Sequence, residues 1–310
     1  MLKRARSILA ITIALSLILC LNVVPVNADS PQGDTSAVVP QLLSPPAGFN
    51  PLTATNQQLK EYGFPARPSD LTALQEWNNI MQHAKYYVKP AQYQAPMSLG
   101  LTQTNYDTNR AGYAVLSRDN PGNPLFTEVY GQWTQTQSPN CISYWVGLGG
   151  AQGDGIIVQA GAASCVPQNI ISEFQLTSNY AFWVEDFPIR PFYEPTPVVH
   201  PGDELYVHVM NFGTQSQAFL LNESSNQYTC APFATPNYTD VSADYMFEDS
   251  TMSPPSIDST LFSYCWLNST LNGFGLFTDY TYEKYIINIE AYPGPASNAS
   301  FTLYCPGPPP

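Results

Sequence analysis

Two runs of residues with alternating side-chain character lie close together in this chain: Ser143-Tyr144-Trp145-Val146-Gly147-Leu148-Gly149-Gly150 and Ile156-Ile157-Val158-Gln159-Ala160-Gly161. Successive side chains of a β-strand point to opposite faces of a sheet. Trp145 and Gly147 therefore share one face of the first run, and Ile157 and Gln159 share one face of the second. The pattern predicts two strands, each with a polar or aromatic residue whose apolar chain neighbours point the other way.

Two later runs repeat this pattern: Ala181-Phe182-Trp183-Val184-Glu185-Asp186-Phe187 and Ala243-Asp244-Tyr245-Met246-Phe247-Glu248-Asp249. Alternation places Trp183 with Glu185 on one face, and Asp244 with Glu248 on one face. If the four strands lie in one sheet, that sheet carries a single concave groove. Its lining would be Trp145, Gln159, Trp183, Glu185 and Glu248.

The chain from about Leu101 onward consists of short strand-like runs divided by Gly, Pro, Asn and Asp. We expect strands near residues 111–116, 127–134, 143–148, 156–160, 180–187, 204–211, 218–221, 243–248, 285–291 and 301–304. Charged residues are only 11% of the chain, and Tyr is the commonest aromatic with 20 copies. Many strands without intervening helices predict an all-β protein, an antiparallel sandwich or jelly roll.

The N-terminus has the features of a secretory signal peptide. Lys3, Arg4 and Arg6 precede an apolar run over residues 8–24, and small residues at Val26 to Ala28 suit a cleavage site. A membrane anchor is the alternative, but the run is short and interrupted, and no later stretch has spanning length. We therefore expect residues 1–28 to be removed and the protein to be secreted, extracellular and without a stable membrane anchor.

Residues 29–97 differ in composition from the rest of the chain and are expected to form a partly helical pro-segment. A helix is predicted over residues 69–87, with Ser69 as its N-cap. This segment contains four basic residues, Lys60, Arg67, Lys85 and Lys89, as many as the whole chain from Ser98 to the end. That later part of the chain has 19 acidic residues. A basic arm beside an acidic domain suggests an inhibitor held partly by charge. The alternative is a helical cap that stays attached.

The acidic domain is predicted to span residues 98–304, and residues 305–310 form a Pro-rich tail. Many of its carboxyls would be neutral at low pH, which fits a protein that works in acid. Nucleic acid is excluded as a partner because its phosphates require clustered Lys and Arg. We expect a monomer.

Several classes of hydrolase are poorly supported by the sequence. It has no G-x-S-x-G elbow, no H-E-x-x-H zinc helix and no Asp-Thr-Gly or Asp-Ser-Gly. Five cysteines remain after the signal peptide, so at least one is unpaired; none forms a CxxC pair, which leaves zinc or redox chemistry without support. We expect no metal and no cofactor.

The runs at residues 145–150, 157–161, 182–185, 201–203 and 243–249 resemble, in order and spacing, the motifs of the glutamic peptidases, or eqolisins. Residues 111–115 and 129–134 look like the family's opening strands. Residues 63–68 are similar to pro-regions of bacterial members. The resemblance covers most of the chain from about Leu101 to Asp249.

The resemblance implies a jelly-roll-like sandwich of two curved antiparallel sheets and an acid endopeptidase that acts on proteins or peptides. Gln159 and Glu248 match the family's catalytic dyad, and Trp145 and Glu185 match positions that line its cleft. Trp183 and Asp244 are added as supporting residues of the cleft. The chain departs from the family at Arg110, where Trp is usual, at Gly149, where Asp is frequent, and at Ala163.

The dyad is chemically reasonable. Ionised Glu248 can take a proton from water and later return it to the leaving amine, while the amide of Gln159 donates to the oxyanion. Two other functions remain open. One is a jelly-roll glycoside hydrolase with Glu185 and Glu248 as its carboxylates and Trp145 and Trp183 stacking on sugar. The other is a non-catalytic sandwich that binds peptide or sugar in the same groove.

Overall fold

The computed structural model describes residues 43–91, 93–94, 109–151, 156–187, 192–213, 215–234, 240–249, 254–287 and 290–306. The predicted signal peptide, 1–28, and the end of the predicted tail, 307–310, lie outside the described residues. Within these ranges, no helix is long and apolar enough to cross a membrane.

Short helices and many strands make up the described chain. The helices are α1 (Asn56–Glu61), α2 (Leu71–Met81) and α3 (Gln168–Glu173). The strands in chain order are β1 (Tyr86–Tyr87), β2 (Tyr93–Gln94), β3 (Arg110–Leu116), β4 (Phe126–Thr134), β5 (Ile142–Gly149), β6 (Ile157–Ala163), β7 (Tyr180–Phe187), β8 (Phe192–Val199), β9 (Glu204–Asn211), β10 (Gln215–Asn222), β11 (Gln227–Ala234), β12 (Ser242–Asp249), β13 (Ile257–Ser269), β14 (Gly273–Leu276), β15 (Tyr282–Tyr285), β16 (Tyr292–Pro293) and β17 (Phe301–Cys305).

Two sheets form a sandwich, which confirms the predicted all-β class. The first sheet has the order β1-β11-β10-β9-β4-β13-β17-β16, with β14 paired to β13. The second sheet has the order β15-β3-β12-β5-β6-β7-β8-β2. The pairings are antiparallel except between β1 and β11, which run parallel.

The main core lies between the two sheets. Along β5 the residues Tyr144, Val146 and Leu148 belong to it, and along β9 the residues Val207 and Val209 do. All five are fully buried. This strict alternation explains why period-two patterning in the sequence predicted the strands.

Each sheet also buries apolar residues on its outer face. The outer face of the first sheet packs against the N-terminal helices α1 and α2. The outer face of the second sheet packs against the α3 region, where Val166 and Ile170 contact a cluster that includes Trp145, Trp183 and Met246. The candidate groove residues therefore lie on the side of the second sheet that faces away from the main core.

The helix predicted over residues 69–87 is shorter in the structure. Asp70, not Ser69, is the N-cap, because its carboxylate accepts a hydrogen bond from the Ala73 backbone N–H at 2.9 Å. The helix ends at Met81. Tyr86 and Tyr87 form β1 instead, because their backbone pairs with β11 and satisfies its hydrogen bonds there.

Three strands of 8 or more residues were missing from the prediction: β8, β11 and β13. β8 contains Pro195 and Pro197, which lack an N–H and weaken any strand signal. The predicted strand over residues 285–291 is wrong in its extent. β15 ends at Tyr285, and Ile287 and Ala291 form only an isolated bridge.

One disulfide joins Cys141, just before β5, to Cys165, just after β6. Cys230, Cys265 and Cys305 are free and buried. Three thiols are therefore left over, where the odd number of cysteines required only one. The bond ties together the two strands that carry Trp145 and Gln159.

Candidate active site

The four strands singled out from the sequence are consecutive neighbours in the second sheet, in the order β12-β5-β6-β7. Asp244, Gly147, Gln159 and Glu185 lie directly opposite one another across them. Residues opposite each other in register share a face of the sheet. The assumption that these strands form one surface is confirmed.

Two further rows cross the same strands on the same face. Met246, Trp145, Gly161 and Trp183 form the second row, and the next residue along it is Tyr193 of β8. Glu248 lies opposite Ser143, which in turn lies opposite Ala163. The structure thus brings all six predicted site residues to one face, where each is at most 3% exposed.

Gly147 lies at the centre of this surface, where its neighbours pack closely around it. A Cβ atom added to it would lie 3.0 Å from the Gln159 Cβ and 3.1 Å from the Trp145 ring. Those distances are shorter than comfortable packing allows, so any side chain here would displace Gln159 or Trp145. The glycine therefore lets the Gln159 and Trp145 side chains pack closely against the β5 backbone.

Three N–H donors hold the Glu248 carboxylate. Asn109 Nδ2 donates to Oε1 at 2.8 Å, while Arg110 Nε and Trp145 Nε1 donate to Oε2 at 3.2 Å and 3.1 Å. The guanidinium of Arg110 also lies over the Trp145 ring, 5.1 Å from its centroid. Arg110 and Glu248 are both almost fully buried, so their ion pair is shielded from water.

Asn109 was not predicted as a site residue, and Arg110 was noted only as a departure from the family pattern. Arg110 reaches Glu248 because β3 pairs with β12 and places these two residues opposite each other. They are 138 positions apart in the chain. The only available signal was the unusual basic residue at the start of a strand in an acidic domain.

Gln159 makes its hydrogen bond to Glu185 on the adjacent strand. Its Nε2 donates to Glu185 Oε2 at 2.6 Å, while its Oε1 is buried and has no hydrogen-bond partner in the described chain. Burial raises the pKa of Glu185 to about 8, and the nearby charge of Glu248 adds to the increase. Glu185 is therefore a neutral carboxylic acid in acidic solution.

No direct hydrogen bond joins Gln159 to Glu248, both of which the structure describes. β5 lies between their strands, and Gln159 is opposite Gly147 whereas Glu248 is opposite Ser143. Trp145 occupies the position between these two on β5, with its Nε1 bonded to Glu248. The arrangement places Trp145 between the amide and the carboxylate.

Two polar atoms of the second row are buried without a hydrogen-bond partner among the described residues: Trp183 Nε1 and Tyr193 OH. Tyr193 was missed because the strand that carries it, β8, was missed. Buried polar groups are almost always hydrogen-bonded in folded proteins. Their unused capacity, together with that of Gln159 Oε1, marks this face as one that can bind a polar ligand.

The departures at Gly149 and Ala163 lie on the same two strands. Gly149 ends β5 with a φ of +83°, a conformation that glycine adopts more easily than other residues. Ala163 lies opposite Ser143, in the row of Glu248, where it adds little bulk. Within the described ranges, no group of three or more His, Cys, Asp or Glu side chains is arranged to hold a metal ion.

Comparison with known proteins gives one family match. The Peptidase A4 family model matches residues 108–271, which include all six candidate residues. No curated protein sequence matches the chain.

Solved structures similar to this chain include three peptidases. Scytalido-glutamic peptidase with a transition state analog inhibitor is 16% identical, with 64% of this chain and 98% of that chain covered and a TM-score of 0.49. SCP-B, a member of the eqolisin family in complex with the tripeptide Ala-Ile-His, is 15% identical, with 64% of this chain and 98% of that chain covered and a TM-score of 0.45. Aspergilloglutamic peptidase from Aspergillus niger is 19% identical, with 54% of this chain and 99% of that chain covered and a TM-score of 0.43.

The family match covers more than half of the chain and contains every strand that forms the candidate site. It agrees with the resemblance found in the sequence motifs. The chain belongs to the Peptidase A4 family, the glutamic peptidases or eqolisins, and is an endopeptidase of the glutamic type.

Proposed function

We propose that the protein is a secreted acid endopeptidase in which Gln159 and Glu248 act on one water molecule without a metal or cofactor. The observation that carries this proposal is the position of both side chains on one face of one sheet, with Trp145 between them. Family membership decides against the glycoside hydrolase and the non-catalytic binding module, and nothing in the site favours either over a peptidase.

Glu248 acts first as the base and then as the acid. Its carboxylate takes a proton from the water, and the water oxygen attacks the peptide carbonyl carbon. The resulting carboxylic acid then gives the proton to the leaving nitrogen as the C–N bond breaks. Arg110, Asn109 and Trp145 hold the carboxylate in place during both steps.

Gln159 stabilises the oxyanion that forms on the peptide carbonyl. Its NH2 group donates to Glu185 in the structure, so it must be released before it can serve substrate. The side-chain amide of Gln159 can rotate so that its oxygen and nitrogen exchange places. Protonated Glu185 then donates its O–H to Gln159 Oε1, and the NH2 group is free to donate to the oxyanion. Acid thus prepares the amide for catalysis.

The peptide substrate binds along the same face. Trp183 Nε1 can donate to a peptide carbonyl, and the Tyr193 hydroxyl can donate or accept. Asp244 lies in the row of Gln159 and completes the polar lining. These groups would orient a peptide backbone beside the dyad.

Secretion, maturation and oligomeric state belong to this proposal. A disulfide between Cys141 and Cys165 suits an oxidising compartment outside the cytosol. Residues 1–28 would serve as the signal peptide of a monomeric enzyme, and residues 29–97 would precede its catalytic domain at residues 98–304.

Digestion of an unfolded protein in acid, at about pH 3 to 5, tests the proposal. Wild type is compared with Glu248→Gln and with the matched control Glu283→Gln, which changes a surface carboxylate paired with Arg118. We expect cleavage by wild type and the control and almost none by Glu248→Gln. Equal cleavage by all three proteins would refute the assignment of Glu248.

A further inference from the structure

The outer face of the first sheet, on the side opposite to the candidate active site, carries a set of large aromatic side chains. They come from five adjacent strands, and each is at most 8% exposed: Tyr130, Tyr206, Phe219, Tyr228 and Trp266. Residues 43–88, which we call the cap, cover them. The cap lies outside the family match at residues 108–271.

The cap contributes its own buried apolar residues to this interface. Leu59, Phe64, Trp77, Ile80 and Met81 are all at most 4% exposed. The Phe64 ring packs against Phe219 and Tyr228 with centroid distances of 5.1 and 4.9 Å. The interface is therefore as well buried as a protein core.

Hydrogen bonds fix the cap in register with the sheet. Trp266 Nε1 donates to Glu76 Oε2 at 2.6 Å, and Cys230 Sγ donates to the Tyr62 carbonyl at 3.2 Å. Gln217 Nε2 donates to the carbonyl of Gly63, which has a φ of +76°. A Cβ on Gly63 would lie 2.4 Å from Gln217 Nε2 and 3.1 Å from the Cys230 Cβ, and the positive φ of Gly63 also favours glycine.

The cap also extends the sheet through its backbone. β1 pairs in parallel with β11, and Tyr86 and Val88 donate their N–H groups to the carbonyls of Asn226 and Tyr228. Losing the cap would leave these carbonyls and the edge of the sheet exposed. Open sheet edges promote aggregation, and stable proteins keep them covered.

Charge contributes little to this attachment, contrary to the expectation from the basic residues. Arg67 is used inside the cap, where it donates to the carbonyls of Pro51, Leu52 and Ala54 and lies 5.1 Å from the Trp77 ring centroid. The ion pairs in the described part of the chain involve Arg110, Arg118, His200 and His208, and none joins the cap to the sheet. The contact is apolar and hydrogen-bonded.

We infer that the cap is a permanent third layer of the working enzyme, which stays on the first sheet even where the chain is cut between residue 88 and the sandwich. One aromatic side chain buries about 150–250 Å². Removing the cap would therefore expose an apolar patch larger than the few hundred Å² that soluble monomers carry. Any inhibitory contact with the active site belongs to residues outside the cap, since the cap lies on the other sheet.

Native mass spectrometry of the full-length protein after incubation in acid tests this inference directly. We expect the folded particle to contain residues 43–88, either in one chain with the sandwich or as a bound fragment. A folded particle that lacks the cap and keeps the sandwich would overturn the inference. The measurement does not depend on peptidase activity, so its failure is distinct from failure of the proposed dyad.

Variants that loosen the cap distinguish a structural layer from an inhibitor. Phe64→Ala removes a buried ring, Phe64→Leu is the milder change should the first fail to fold, and Leu71→Ala alters a cap residue that is 81% exposed. We expect the melting temperature to fall by roughly 10 °C for Phe64→Ala, less for Phe64→Leu and hardly at all for Leu71→Ala. The rate at which activity develops in acid should stay unchanged in Phe64→Leu. Faster activation with an unchanged melting temperature would show that the cap is an inhibitor instead.

Discussion

The side-chain amide of Gln159 donates a hydrogen bond of 2.6 Å to the carboxylate of Glu185, the residue directly opposite it on the neighbouring strand. Both residues are buried, and burial raises the pKa of Glu185 to about 8. The protonation state of Glu185 therefore determines which group of the amide it binds. This relationship connects the proposed chemistry to pH.

Replacing Gln159 by Ala removes the proposed oxyanion donor. We expect kcat to fall by about 10²–10³, the usual cost of losing one such donor, with a smaller change in KM. Gln57→Ala, which changes a surface glutamine bonded to Glu61, is the control. Steady-state kinetics on a peptide substrate measures both, and a Gln159→Ala enzyme as fast as the control would remove Gln159 from the mechanism.

Replacing Glu185 by Gln mimics its neutral form at every pH. Wild-type kcat should decline as pH rises toward about 8, because ionised Glu185 then accepts the NH2 group of Gln159. Glu185→Gln should remain active in acid and lose this part of the decline, whereas Glu185→Leu should be slow throughout. The measurement is kcat as a function of pH for each protein. The same decline of kcat at high pH in wild type and Glu185→Gln would contradict the role given to Glu185.

Removing Arg110 leaves the charge of Glu248 buried without its partner. Breaking a buried ion pair in this way typically costs about 3–5 kcal/mol of unfolding free energy. We expect that loss for Arg110→Met in urea unfolding, and a partial recovery when Glu248→Gln is added. If Arg110→Met is as stable as wild type, the ion pair has no structural importance.

Stability should be greatest in mild acid. Burial raises the pKa of Glu185 to about 8, of Asp186, Glu194 and Glu223 to about 7, and of Asp240 to about 6. The folded state therefore holds more protons than the unfolded state above about pH 4.5, and the free energy of unfolding falls as pH rises toward about 8.

Glu128 acts in the opposite sense at the acid end. Burial opposes its ionisation, but hydrogen bonds from His208, Tyr130 and Asn268 and the charge of protonated His208 together lower its pKa to about 2. Its contribution is complete above its ordinary pKa and is lost as pH falls through about 2. Melting temperatures measured from about pH 2 to pH 9 should pass through a maximum near pH 4. A melting temperature that rises steadily to neutral pH would contradict these assignments.

The sequence predicted the site strands well because their pattern is local. Trp145, Gln159 and Trp183 each have apolar neighbours on both sides that enter the main core. Glu185 and Glu248 each have one such neighbour, Val184 and Phe247. This alternation can be read from the sequence alone. The order of the strands was assumed, since nothing local specifies that β12 lies beside β5.

Other features depend on contacts between distant parts of the chain. The bond of Arg110 to Glu248 exists only because β3 pairs with β12. Tyr193 was not predicted as a site residue because β8 was not predicted as a strand, since its two prolines weaken the strand pattern. The end of α2 was predicted too late in the chain because Tyr86 and Tyr87 pair with β11 as a strand. Sequence periodicity gives no information on such a pairing.

A double-mutant cycle on Gln159→Ala and Glu248→Gln tests most directly whether the two residues serve one water molecule. The rate constant kcat is measured on one peptide in acid, at about pH 4. Groups that act as a unit give strongly non-additive effects. We predict that the double variant is about as slow as the slower single variant. Rate losses that multiply in the double variant would show that the two side chains act independently and would contradict the dyad.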